Sequence, residues 1–375
     1  MRPAAGIAGP GAVLGMEGLA YALVLPHLPL VVGEHSPWWA VGGLLAAYSI
    51  AQFLVLPRIT NAARRHGTVW VVFGCLIGTA TGMILTAVST NFWILLAGRL
   101  VDGLSAGTVV VVTALHLASV NRSLWTRDLG RLAAVRGAAI LGGVVTAAIL
   151  GVATANPAVA LRTTAWIGAV LAGLAIPVAA RFRHLDPAVA RAQPTTPTGP
   201  AAGRHIAAQA AQAALLTLAP ALALTVSNLT AGFLGPAAAI SGLAVGQLVA
   251  APRLEGCPAL RSVGDLGIVL GSLLVPWSPL AGLALMGIAI GAAAPIAQAA
   301  LLRKRTAAGE DILTANAFVG RASIIGHVLG PLLGYVALSV GLVPAIVVTA
   351  VFGGVSFAGS KAGDTATFDD TTGMG

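Results

Sequence analysis

The feature that most constrains this chain is a succession of apolar runs, each close to the roughly 20 helical residues that cross a bilayer. Twelve runs can be marked, at 8–31, 38–57, 69–89, 94–119, 132–153, 162–180, 205–226, 230–251, 263–278, 280–301, 312–336 and 338–358. The ninth is the shortest, and its end rests on Trp277-Ser278-Pro279, where proline favours a break. Hydrophobic residues make up 57% of the chain and charged residues only 9%, against roughly 25% charged in soluble domains. The expectation is an all-α polytopic membrane protein, with a lipid bilayer as its solvent.

The segments between runs alternate in charge. Arg58, Arg64 and Arg65 follow the second run, Arg122, Arg127 and Arg131 the fourth, and Arg181, Arg183, Arg191 and Arg204 the sixth. Arg253 and Arg261 follow the eighth, and Arg303, Lys304 and Arg305 the tenth, while the other loops hold only Arg162. Lys and Arg are retained on the cytoplasmic side, so both termini are expected to be cytoplasmic. Trp38, Trp39, Trp93, Trp166 and Trp277 fall at expected outer ends and Trp70 and Trp125 at inner ends, as an aromatic belt requires. The net charge of +9 is thus spread over loops rather than gathered on one face, and no nucleic-acid partner is expected. Cys75 and Cys257 are too few for a disulfide or metal framework. Without a small-residue cleavage site, residues 8–31 read as a retained span. Abundant Ala, Gly and Arg beside only two lysines, Lys304 and Lys361, point to a bacterial genome and hence a bacterial plasma membrane.

The aperiodic, Pro- and Thr-rich segment 182–203 reads as a flexible cytoplasmic linker that divides the runs six and six. The expected organisation is a first six-helix bundle over 1–181, a second over 204–360, and a disordered tail over 361–375. A repeat crosses the linker. Gln52 to Arg58 and Gln247 to Arg253 end the second and eighth runs alike, 195 residues apart; Gly67 and Gly74 meet Gly264 and Gly271. Gly103 and Gly107 meet Gly287 and Gly291, and Arg136 meets Arg321. Two pseudo-symmetric bundles about an axis along the membrane normal place a substrate site between them at mid-membrane.

On these residues the chain, over about 8–358, resembles the major facilitator superfamily of secondary transporters. Arg65 and Gly67 match that family's loop motif after the second span, but Arg64 stands where the motif carries Asp, the position associated with an ion-pair lock. Arg99, Gly103 and Gly107 match the fourth-span motif in full, which implies a part in proton handling for Arg99 and Asp102. The antiporter motif of the fifth span lacks its proline at Gly142-Gly143, although Gly330, Pro331 and Gly334 reproduce its tail in the eleventh.

Charged residues inside membrane runs are costly, roughly 2.5 to 3.5 kcal/mol each on insertion scales, and so mark packed or functional places. Glu17 lies about nine residues into its run, on the order of 14 Å at 1.5 Å per residue, and is the first candidate for proton coupling. The alternative is an interhelical hydrogen bond or an Arg partner serving packing alone. Arg99 and Asp102, three apart, share a helix face and neutralise each other there. Arg136 and Arg321 are candidates to meet an anionic substrate or Glu17, with snorkelling to the interface as the alternative. His327 titrates near neutral pH unless burial holds it, and His116 is a weaker candidate. Asp265, Glu310 and Asp311 fall at helix starts, where carboxylates complement the helix dipole. Gln52, Gln209, Gln212, Gln247, Asn228 and Asn316 suit hydrogen bonds to substrate or to other helices.

The remaining lining is Ala, Gly, Leu and Val, which favours an apolar or amphipathic small molecule over a sugar. The leading expectation is proton-coupled efflux by a monomer without cofactor. Symport of an organic anion and a non-transporting scaffold are alternatives. A lipid-active enzyme is disfavoured, because no nucleophile elbow, paired metal-spaced histidines or P-loop is present.

Overall fold

The computed structural model describes residues 7–33, 36–182, 206–207, 210–215, 238–250, 266–271, 273–275, 277–340, 347–348, 351–352 and 354–355. Every regular element among the described residues is helical. The first half comprises α1 (Ala8–Val24), α2 (His27–Gly33), α3 (Trp38–His66), α4 (Thr68–Val88), α5 (Phe92–Leu104), α6 (Thr108–Ser119), α7 (Trp125–Thr154) and α8 (Pro157–Ala180). In the second half α9 (Pro279–Ala307) and α10 (Ile312–Val340) are long helices, and a shorter apolar helix covers Ala238–Leu248. Eight segments among the described residues are long and apolar enough to cross a membrane. Their outer faces expose side chains such as Val152, Ile149 and Leu54, and such a surface suits lipid rather than water. This is a multi-pass membrane protein. Of the expected linker, all but Phe182 lies outside the described residues, as do the tail, Gln209, Asn228, Asp265 and most of the seventh run.

Several runs depart from the expected spans; the fifth begins early, at Trp125, so α7 carries Arg127 and Arg131, and the tenth runs on to Ala307, so α9 carries Arg303, Lys304 and Arg305. The first bends at Leu25-Pro26, between α1 and α2. The second continues through Pro57 to His66, so Arg58, Arg64 and Arg65 ride the last turns of α3 instead of a loop. A proline removes one helical hydrogen bond, and a membrane helix tolerates that loss when neighbours supply partners. The helix stops at Gly67, whose φ of 92° is open to glycine and whose N–H donates to Ala63 O at 3.1 Å. The fourth run breaks at Ser105-Ala106-Gly107, where Ser105 N bonds Asp102 O and Ala106 N bonds Gly103 O, tightening the turn.

Glycine decides how closely these helices pack. A side chain at Gly103 would lie 2.2 Å from Tyr48 O, so α5 rests directly on the backbone of α3. At the repeat-related Gly287 and Gly291 a side chain would likewise run into the Ala239 and Leu243 carbonyls. In each half, then, a glycine strip lets one helix approach the main chain of another.

The two halves close on each other at the end that carries Arg64, Arg122 and Arg303, here called the basic end. Arg64 of α3 pairs with Asp311 and bonds Thr314, both at the start of α10. Arg303 returns the contact, donating to Arg122 O at 3.3 Å and Thr126 Oγ1 at 3.2 Å. Leu117, Trp125 and Leu129 pack there with Leu301, Leu302 and Val319. Trp125 therefore does not join the aromatic belt. It is 3% exposed, and its indole N–H donates to Leu117 O at 3.1 Å, whereas Trp39, Trp70, Trp93, Trp166 and Trp277 are exposed. Burial between the halves gives that N–H a carbonyl partner which the lipid interface does not supply.

Candidate functional site

A cavity of about 460 Å³ lies between the halves. Its wall takes Tyr21 and Leu25 from the first run, Tyr48 and Gln52 from α3, Arg136 from α7, and His327 from α10, among others. All three tyrosines of the chain, Tyr21, Tyr48 and Tyr335, line it.

Glu17 of α1 faces Arg136 of α7, with 3.0 Å between Oε2 and Nε. The neighbouring Gly18 makes room, because a side chain there would meet the Arg136 Cγ at 3.0 Å. The arginine side chain is 26% exposed and the carboxylate 5%, so the cation forms cavity wall and the acid sits behind it.

One layer deeper in the first half, Arg99 Nη1 meets Asp102 Oδ2 at 2.9 Å, one turn along α5. Both are buried. The guanidinium also faces the rings of Tyr21 and Tyr48, 5.2 and 4.6 Å from their centroids. Its Nε and Nη2 have no hydrogen-bond partner among the described residues. A carboxylate and two aromatic faces thus balance this cation. The tyrosines line the cavity, whereas Arg99 and Asp102 do not.

The remaining candidates are placed differently. Arg321 does not line the cavity; it lies over the Phe53 ring at 4.4 Å, across the boundary between halves. His116 pairs with Asp128 at 3.3 Å inside the first half. Gly330 is buried in α10, and the Pro331 carbonyl rests against Gly42 of α3, where a side chain would come within 2.9 Å. Gly107 abuts Ile59, and Arg65 is exposed. Among the described residues no group of three or more His, Cys, Asp or Glu could hold a metal ion.

Sequence reasoning passed over Tyr21, Tyr48 and Gln298. Tyr21 carried a usable signal, since it lies one helical turn beyond Glu17 on the same face.

No protein-family model and no curated protein matches the chain. Solved structures do. The human organic anion transporter MFSD10 aligns with 94% of this chain and 97% of its own, at 20% identity and a TM-score of 0.70. The E. coli transporter FucP, in its outward conformation, aligns with 95% and 97% at 12% identity and 0.68. The nucleoside transporter NupG aligns with 95% and 97% at 14% identity and 0.61. A chain whose described elements are all helical, with a cavity between two glycine-packed halves, and alike over nearly its full length to such structures, has the fold of the major facilitator superfamily.

Proposed function

We propose that this protein is a proton-coupled antiporter that exports a hydrophobic or amphipathic small molecule by alternating access. The observation that carries the reading is a largely apolar cavity walled by both halves, with the Glu17–Arg136 pair at its edge. In this reading Glu17 takes the proton, which frees it from Arg136, and substrate and proton occupy the site in turn. Arg99 and Asp102 tune the field behind Tyr21 and Tyr48, and His327 meets the substrate from the second half. Gly103, Gly107, Gly330 and Pro331 supply close helix contacts, Arg65 and Gly67 end α3, and Arg321 slides over Phe53 as the halves rock. The basic end is the cytoplasmic one, with both termini beside it, in a bacterial plasma membrane. The protein works as a monomer, without cofactor, and is not an enzyme; MFSD10, FucP and NupG are each described as transporters.

A second reading has its own support. Arg136, not Glu17, faces the cavity, so protonation of Glu17 leaves a cation exposed to an organic anion. MFSD10 is described as an organic anion transporter. This would be symport of an anion with a proton.

Proton movement in vesicles holding the purified protein separates the two. Under an imposed pH gradient, neutral lipophilic compounds drive proton flux in the antiport reading and organic anions in the symport reading. Glu17→Gln abolishes either flux. Undiminished flux in Glu17→Gln sinks both mechanisms as written.

A further inference from the structure

We infer that the cavity selects a neutral amphipathic ligand that carries N–H or O–H donors, an amide-bearing compound being the simplest case. The inference rests on the reading of the cavity as a substrate site. Its polar wall includes carboxamides from both halves: Gln52, Gln212, Gln247, Gln298 and Asn316.

Two of these are oriented by the broken fourth run. Gln52 Nε2 donates to Ala106 O at 2.7 Å, and Asn316 Nδ2, reaching from α10, donates to Val110 O at 2.8 Å. A main-chain carbonyl accepts only, so the nitrogen of each amide must face it, and the assignment of O and N needs no guess. Neither amide's carbonyl oxygen makes a hydrogen bond to another described residue. Gln52 and Asn316 are 8% and 7% exposed. Gln247 adds a third acceptor. It sits in a single π-helical turn, Gly246–Ala250, of the kind found at functional sites. It is 7% exposed, and its Oε1 has no partner among the described residues. That oxygen reaches the first half beside Gly137, where a side chain would lie 3.5 Å from it.

Charge complements this picture. No Asp or Glu is part of the described wall, and Arg136 is already balanced by Glu17. An anion would meet acceptor oxygens, and a quaternary cation would find no carboxylate. A neutral donor satisfies the buried Gln247 Oε1, which has no partner among the described residues, and sites of that kind reject analogues lacking the donor.

The test is binding of a matched series to the full chain in nanodiscs, read by calorimetry: 2-naphthylacetamide, its N,N-dimethyl amide, 2-naphthylacetate, and a naphthylmethyl trimethylammonium salt. The primary amide is expected to bind about tenfold more tightly than the dimethyl amide, the effect of roughly one hydrogen bond, and more tightly than either ion. Gln247→Met and Asn316→Leu should each narrow that preference, while Trp70→Phe, on an exposed ring away from the cavity, should retain it. Equal or tighter binding of the dimethyl amide or of either ion overturns the inference, and so does binding by no member; the wild-type series decides even if a variant fails to fold. Amide preference without transport in vesicles sinks the transporter reading and leaves the ligand class standing. Transport with the carboxylate preferred does the reverse.

Discussion

Arg64 and Asp311, 247 residues apart in the chain, form an ion pair that ties α3 of the first half to the start of α10 in the second. Asp311 also accepts the Thr314 N–H at 3.0 Å, so one carboxylate both caps a helix and holds the opposite half. The loop motif carries Asp where Arg64 stands. With Arg64 in that place, the structure still has an ion pair at this end.

If this pair holds the basic end shut, Arg64→Ala should remove roughly 1.5–3 kcal/mol, the usual worth of a charged hydrogen bond, and shift the population toward an opened basic end about tenfold or more. Val319→Cys, placed between the halves in a Cys75→Ser, Cys257→Ser background, reports the opening through its rate of labelling by a membrane-impermeant thiol reagent. Combining Arg64→Asp with Asp311→Arg should restore slow labelling. Slow labelling in Arg64→Ala would show that the apolar cluster around Trp125 closes this end unaided.

Removing Glu17 leaves Arg136 without its carboxylate. Breaking a buried pair costs about 3–5 kcal/mol when one charge remains, and the partial exposure of Arg136 lowers that. Glu17→Gln should therefore reduce thermal stability in detergent, and Arg136→Gln added to it should recover part of the loss. A double-mutant cycle measures the coupling, and additivity within about 0.5 kcal/mol would show no interaction.

Gly103→Ala drives a methyl into the Tyr48 carbonyl and should destabilise by about 1–3 kcal/mol, as overpacking does. Gly74→Ala meets nothing within 4 Å and should be neutral or slightly stabilising, since Ala is the better helix former by roughly 1 kcal/mol. Paired melting curves check both.

Trp125→Phe deletes the donor to Leu117 O and leaves a buried acceptor short, at a cost of about 1 kcal/mol. Trp70→Phe, on an exposed ring, should leave the folded protein's melting point unchanged in detergent. Equal losses for the two would contradict the buried placement of Trp125.

Local pattern sufficed for whatever depends on the chain's own solvent preference. Run lengths and the scarcity of charge foretold a polytopic helical protein, because backbone in lipid must satisfy itself within each segment. Spacing foretold that Arg99 and Asp102 share a face, since three residues make nearly one turn. Glycine repeats announced close packing, and Gly103 and Gly287 both meet a backbone carbonyl. Partnership across the fold was decided by tertiary structure. Nothing in the local sequence says that Arg136 rather than Arg321 meets Glu17, that Arg321 stacks on Phe53, or that Trp125 turns inward. Those outcomes follow from which helices touch, and each charged or polar group settles where the assembled bundle gives it a partner.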